Sequence, residues 1–337
     1  MGASRYVCFE TQAAIDRYTR EASTTQNASS CFESPIACPD ASALTTRFLC
    51  SGFVTVISAS SGWRGCCYNI ATAVDGRPFL VAGEARCADV ADRDDWCSGA
   101  PVRVDELDPA TRRALAEMWR LDAIFEHASI ASFARLTLEL MSLGAPPDLL
   151  AAAQRAGLDE IEHARLCYGL ASRYAGRALG PASLRIDGAV ADRSLVEIAV
   201  AAVREGCVGE TLAAVVAGER ADGAADPDLR STLSRISEDE TRHAELAWRT
   251  VEWAIARGGR TVADAVRKAF AEATAPFMSD VDLDETSGGE ATLSAHGQLP
   301  NALRRRVERM AVREIVLPMA RSLASGVVEP DVAQLRA

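Results

Sequence analysis

Two short stretches of this 337-residue chain each carry a glutamate three residues before a histidine. They are Glu160-Ile161-Glu162-His163 and Glu240-Thr241-Arg242-His243, and they contain two of the only four histidines in the sequence. Residues three apart in an α-helix project from one face, separated by about 60°. A carboxylate and an imidazole placed in this way can grip one metal ion. Two copies of the pattern therefore predict a site for two metal ions.

Such a site needs two more carboxylates and helices that bring all the ligands together. In a four-helix bundle with a dimetal centre, two helices each supply Glu-x-x-His and the other two each supply one inward glutamate. The chain repeats in this order, because Pro147-Asp148-Leu149 matches Pro227-Asp228-Leu229 at the same offset before each motif. The repeat predicts two helical hairpins, each carrying a glutamate and then Glu-x-x-His.

The lone glutamate of the first hairpin is Glu126, which lies 34 residues before Glu160. The repeat register aligns it with Glu205, 35 residues before Glu240, and favours Glu205 as the ligand from the third helix. Glu210 is the rival. Five residues turn an α-helix by about 140°, so Glu205 and Glu210 cannot point identically inward. Both share apolar faces, so periodicity does not decide, and Glu210 stays open as a further ligand or as an acid beside the ligands.

The alternative to a metal site is a bundle that has lost its ions. A single glutamate on a helix is nearly always a solvated surface group. Four carboxylates turned into a bundle core would be prohibitively costly unless a cation or protonation neutralises them. The combination therefore favours a dimetal site.

Residues from about 108 to 258 resemble the ferritin-like superfamily of dimetal-carboxylate bundles. The run from Asp239 to His243 is similar to the Asp-Glu-x-Arg-His signature of bacterial di-iron oxygenases and ribonucleotide reductase-like proteins in that superfamily. The resemblance implies that Asp239 hydrogen-bonds a ligand histidine from outside the ligand set, and Asp159 fits the same role. The first copy departs from the signature because Glu162 stands in place of the arginine, which leaves an outer arginine on that side open.

The function that this resemblance implies is an O2-activating di-iron oxidase or oxygenase acting on a small organic substrate. Dioxygen or peroxide would react at two iron ions bridged by Glu160 and Glu240, although manganese also suits mixed carboxylate and imidazole ligation. The expected ligands are Glu126, Glu160, His163, Glu205, Glu240 and His243. Two alternatives stay open: an iron-storage or peroxide-detoxifying metal protein, and a secreted binding or structural module whose metal only stabilises the bundle.

The chain as a whole predicts an α+β fold in three parts. Residues 1–105 read as a small, cysteine-rich, mostly β domain, 106–260 as the ferritin-like four-helix bundle, and 261–337 as a C-terminal helical extension. Strand-like runs at 53–57, 67–74 and 77–81 support the first part, and Asp75-Gly76 between the last two signals a hairpin turn.

The eight cysteines of the N-terminal part predict disulfides. An even number with no Cys-x-x-Cys favours bridges over metal ligation and implies an oxidising compartment, so we expect a secreted or periplasmic protein. Residues 1–6 contain no apolar signal region, which keeps a cytoplasmic location open. The cysteines are Cys8, Cys31, Cys38, Cys50, Cys66, Cys67, Cys87 and Cys97.

Caps and turn residues mark the predicted helices. Asp108-Pro109 is an N-cap residue followed by proline at the first helical position. A final amphipathic helix is expected to pack on the bundle or on a second copy in a homodimer. The predicted helices run from Pro109 to about Gly144, from Pro147 to Gly176, from Ser194 to about Gly223, from Pro227 to Gly258, and from about Asn301 to Ser325.

Charge and hydropathy narrow the range of partners. The formal net charge of −11 disfavours nucleic acid, because phosphate contacts need a basic surface. No uninterrupted apolar run approaches the roughly 20 residues of a membrane span. We therefore expect a small-molecule substrate together with dioxygen or peroxide.

Overall fold

The computed structural model describes residues 5–9, 54–57, 66–70, 76–98, 102–104, 106–278 and 290–325. The chain divides into two compact units, residues 1–74 and residues 75–337. In the first unit, three strands form an antiparallel sheet with β3 in the middle. These strands are β1 (Arg5–Phe9), β2 (Val54–Ile57) and β3 (Cys66–Ile70).

Four long helices dominate the second unit, and the third of them is interrupted by a π-helical segment. They are α1 (Pro109–Ser142), α2 (Pro147–Ala175), α3 (Leu195–Ala201) continued by the π segment (Ala202–Glu210) and α4 (Thr211–Gly223), and α5 (Pro227–Thr274). The helix α1 packs on α2, and the third helix packs on α5. Contacts between α2 and α5 join the two hairpins.

The helix ends follow from local sequence, and the predicted starts are confirmed. The Asp108 carboxylate accepts hydrogen bonds from the backbone amides of Ala110 and Thr111, at 2.9 and 3.1 Å. Ser194 and Glu197 form a reciprocal capping box at the start of α3. Gly176 ends α2 with φ of 72°, a left-handed conformation that glycine adopts without a steric penalty.

The C-terminal helices pack onto the same core as α5. Gly259 interrupts α5 with φ of 60° and ψ of −145°, close to the predicted helix end at Gly258. Beyond it, Val266 and Phe270 share a buried apolar cluster with Val312 and Val316. The final helix confirms the prediction for residues 301–325. The elements here are α6 (Glu290–Ala295), α7 (Asn301–Ala311), a second π segment (Val312–Val316) and α8 (Leu317–Ser325).

The prediction of an α+β fold with a cysteine-rich, mostly β domain before the bundle is wrong. The described chain is mostly helical, and the strands of residues 76–98 are only two residues long. Phe79 and Val81 pack against Ala128 of α1, so their apolar side chains belong to the helical core. The predicted hairpin at Asp75-Gly76 is also wrong, because β4 (Leu80–Val81) pairs with β5 (Glu84–Ala85) while β3 pairs with β1 and β2.

The later part of residues 76–98 also pairs with the helical unit. The strand β6 (Val90–Ala91) pairs with β7 (Gly180–Pro181), which follows α2. Residues 76–98 therefore belong to the helical unit, because their apolar side chains and strand edges find their partners there.

The predicted set of four bridges among eight N-terminal cysteines is wrong as well. Cys97 is a free thiol that donates to the Leu179 carbonyl at 3.4 Å and contacts the Ser172 hydroxyl at 3.2 Å. Cys87 is disulfide-bonded. The side chains of the other six lie outside the described residues, so the secreted or periplasmic location stays a prediction. Cys167 and Cys207 are free and buried.

Among the helices that the structure describes, none combines the length and the apolar character needed to cross a bilayer.

Candidate metal centre

Six side chains from the four long helices converge into two overlapping groups of metal-binding type. Within each group, one ligand atom per residue lies within 4.8 Å of the others. Glu160 of α2 and Glu240 of α5 belong to both groups. The first group is Glu126, Glu160, His163 and Glu240, and the second is Glu160, Glu210, Glu240 and His243.

The two shared glutamates lie between the two histidines. The Nδ1 atom of His163 is 3.7 Å from a Glu160 oxygen and 3.3 Å from a Glu240 oxygen. The Nδ1 atom of His243 is 3.2 Å from the other Glu160 oxygen and 3.5 Å from the other Glu240 oxygen. Each carboxylate thus presents one oxygen to each imidazole, which is the arrangement needed to bridge two ions.

The preference for Glu205 over Glu210 is not supported, because Glu210 and not Glu205 joins the cluster. The Glu205 carboxylate instead pairs with the guanidinium groups of Arg77 and Arg135, at 3.5 and 3.4 Å. The physical reason is the π segment, which ends at Glu210. In a π-helix the hydrogen bonds run from i to i+5, so residues five apart lie about one turn from each other. Glu205 and Glu210 are therefore both buried on neighbouring parts of one face. The separation of about 140° expected for an α-helix does not apply to them.

Two aspartates outside the ligand set accept hydrogen bonds from the imidazoles on the side away from the cluster. In this crossed arrangement, each aspartate contacts the histidine of the other Glu-x-x-His motif. Asp239 accepts from Nε2 of His163 at 3.0 Å, and Asp159 accepts from Nε2 of His243 at 3.3 Å. A proton fixed on Nε2 leaves the Nδ1 lone pair facing the cluster. Arg242 contacts both aspartates, so one arginine serves both halves. This accounts for Glu162 in the first copy, where a second arginine is not needed.

The cluster strongly favours positive charge at its centre. Burial alone would lower the pKa of His163, but hydrogen bonds to Asp239 and the surrounding glutamates raise it well above its ordinary value. Burial would likewise lower the pKa of His243, but hydrogen bonds to Asp159, Glu160 and Glu240 raise it well above its ordinary value. Burial, and next the charge of Glu160, raises the pKa of Glu126 well above its usual range.

The donor set fits two divalent cations. Both oxygens of Glu210, one oxygen each of Glu160 and Glu240, and Nδ1 of both histidines are buried without a hydrogen-bond partner among the described residues. Buried polar atoms in proteins are normally hydrogen-bonded, so six such atoms around one centre require an explanation. Four ionised carboxylates would balance two divalent ions. Oxygen and imidazole donors suit iron or manganese and do not select between them.

No sequence pattern predicts Arg77, which lies beside Glu210, or Arg135, which pairs with Glu205 outside the cluster. Arg77 lies before the bundle in a segment with no helical periodicity, and no motif marks it. Two glycines within the third helix, Gly206 and Gly209, are the signal that was available, because glycine in a helix interior often marks a close approach of another backbone.

No family model, curated protein or solved structure matches this chain.

The first prediction separates Glu210 from Glu205. Glu210→Ala should hold one ion tightly and bind the second far more weakly, because one of the four donors of the second group is lost. Glu205→Gln should still bind two ions, since Glu205 pairs with arginines outside the cluster. Elemental analysis and chelator competition would measure this. Two tightly bound ions in Glu210→Ala, or one in Glu205→Gln, would contradict the geometry.

The second prediction concerns the crossed aspartates. Asp239→Ala should weaken mainly the ion at His163, and Asp159→Ala the ion at His243, each by about 10- to 100-fold, the usual cost of losing the partner of a ligand histidine. The exposed Asp148, which pairs with Arg249 on the surface, provides the control Asp148→Ala. If Asp239→Ala and Asp159→Ala both match this control in metal affinity, the two aspartates do not support the ligands.

Proposed function

We propose that this chain is a dimetal-carboxylate protein of the ferritin-like superfamily, and that it is an O2-activating di-iron oxidase or oxygenase acting on a small organic substrate. The observation that carries the proposal is the pair of shared glutamates, each presenting one oxygen to each histidine. Four carboxylates and two imidazoles from four helices match the ligand pattern of such centres.

Two iron ions at this centre would supply redox chemistry with dioxygen or peroxide. The chain's own contribution is to fix the donors and to limit water. Glu160, His163, Glu240 and His243 have side chains no more than 3% exposed. Each imidazole donates a hydrogen bond to an aspartate, His163 to Asp239 and His243 to Asp159. Neither ring can rotate without losing this charged partner.

The cluster is closer to solvent on the side of Glu126 than on the side of Glu210. The Glu126 side chain is 21% exposed, whereas that of Glu210 on the opposite side of the shared glutamates is fully buried. Dioxygen and substrate therefore have their shorter approach beside Glu126. His127, the next residue, has its ring against Trp96, with ring centroids 5.2 Å apart. Burial, and next the charge of Arg93, lowers the pKa of His127 to about 4, so a neutral imidazole and an indole lie next to this approach.

The third prediction tests the function. Protein loaded with ferrous iron without oxygen, and then supplied with a reductant, should consume dioxygen faster when a suitable compound is present. Screening small organic acids, alcohols and amines with an oxygen electrode would find the compound class. Mass spectrometry after reaction under ¹⁸O2 would show whether oxygen enters the product.

Variants on α5 provide the controls for this assay. Glu240→Ala should abolish the uptake, because it removes a donor common to both ions. Glu245→Ala should preserve it, because the Glu245 side chain is 67% exposed. Uptake that ends once the bound iron is oxidised, whatever compound is added, would favour storage or peroxide removal. Tightly bound metal without any uptake would favour the structural alternative.

A further inference from the structure

A short segment before the bundle, residues 76–81, is fastened along one face of α1. We refer to it as the strap. The hydroxyl of Ser129 donates to the Arg77 carbonyl at 2.9 Å, and the hydroxyl of Ser132 donates to the Pro78 carbonyl at 3.3 Å. The guanidinium of Arg135 donates to the Leu80 carbonyl. These three side chains are spaced three residues apart on one helical face, so they fix the strap along α1.

The opposite side of the strap lies against the π segment at two glycines. A Cβ atom on Gly209 would be 2.6 Å from the Gly76 carbonyl oxygen, and a Cβ atom on Gly206 would be 2.7 Å from Nη2 of Arg77. Both distances are shorter than any normal contact. Gly209 is therefore required for the backbone of the strap to reach the third helix, whereas Gly206 is required first by the side chain of Ala247, whose Cβ atom would lie 2.3 Å away.

This close approach places the guanidinium of Arg77 beside the metal centre. Arg77 is 1% exposed. Its Nε atom is 3.5 Å from Glu210, and its Nη1 atom is 3.5 Å from Glu205. The guanidinium also lies over the Phe133 ring, 4.8 Å from its centroid, and the His243 ring contacts Phe133 as well, at 5.0 Å between centroids.

We propose that Arg77 is a positioning residue of the metal centre and that it acts on one ion, the ion held by Glu210 and His243. The positive charge of Arg77, with Nε 3.5 Å from one Glu210 oxygen, attracts that carboxylate as an ion pair without hydrogen-bonding it and leaves the other oxygen for the metal, while the contact of the guanidinium with Phe133 supports the His243 ring. The inference rests on the dimetal part of the proposed function and does not depend on the reaction. It also makes the strap part of the site, although the strap lies outside the four helices.

The asymmetry of these contacts provides the test. Arg77 contacts Glu210, whereas the other group contains Glu126 and His163 and is fixed by Asp239. A merely structural role for Arg77 would weaken both ions alike through loss of fold stability. A positioning role weakens one of them.

The experiment is a titration of the metal-free full chain with Co²⁺, followed by visible absorption and by competition with a chelator. Asp159→Ala and Asp239→Ala identify which step belongs to which histidine. Arg77→Met should weaken the His243 ion by about 10- to 100-fold and leave the His163 ion unchanged. Arg77→Lys should recover part of the loss, because it keeps the charge without the planar fork.

A second variant moves the strap and keeps the guanidinium. Gly209→Ala pushes the Gly76 carbonyl away and should weaken the same ion, whereas Gly218→Ala on α4 meets only the Ser237 hydroxyl at 3.3 Å and should bind like the parent. Arg112→Met removes a guanidinium that donates to the Tyr174 carbonyl and provides the matched arginine control. Circular dichroism and melting temperature would show that each variant is folded.

Each outcome of the titration has a distinct meaning. Selective loss of the His243 ion in Arg77→Met and Gly209→Ala, with rescue by lysine, supports the proposal. Two unchanged affinities, or equal loss of both, overturns the role of Arg77 and leaves the dimetal site in place. A parent protein that binds no Co²⁺ overturns the dimetal site, and the role of Arg77 with it.

Discussion

The burial of four carboxylates and two imidazoles between four helices is the constraint on which the rest of the structure depends. Moving one ion out of water costs several kcal/mol even after the protein relaxes, so such a cluster persists only if cations balance it. The imidazoles inside the cluster and Arg77 beside Glu210 supply positive charge, and Asp159, Asp239 and Arg242 fix the imidazoles from behind. The long helices are needed because each must present its donor at the same depth.

Local signals in the sequence are sufficient to predict the helices and five of the six side chains that come together in the cluster. Asp108, Ser194 and Asp226 cap helices in the structure as their residue types indicate, and the spacing of Glu160 from His163 is a property of any α-helix. The repeat register favours Glu205 because it assumes 3.6 residues per turn throughout. The π segment breaks that assumption, and nothing in the residue types from Ala202 to Glu210 marks it.

The segment before the bundle could not be predicted for a different reason. Alternating apolar residues such as Phe79 and Val81 are typical of a strand, and only tertiary contacts show that they pack on α1. The role of Cys97 is likewise set by partners distant in sequence, Ser172 and Leu179. Local patterns determine which side chains are buried here, but not the surface against which they pack.

Diffraction from crystals of iron-loaded protein, recorded at the iron absorption edge, tests the dimetal centre most directly. Two anomalous peaks are expected, one beside Nδ1 of His163 and one beside Nδ1 of His243, with Glu160 and Glu240 contacting both and Glu210 contacting the second. A single peak, no peak, or a second ion bound by Glu205 would contradict it.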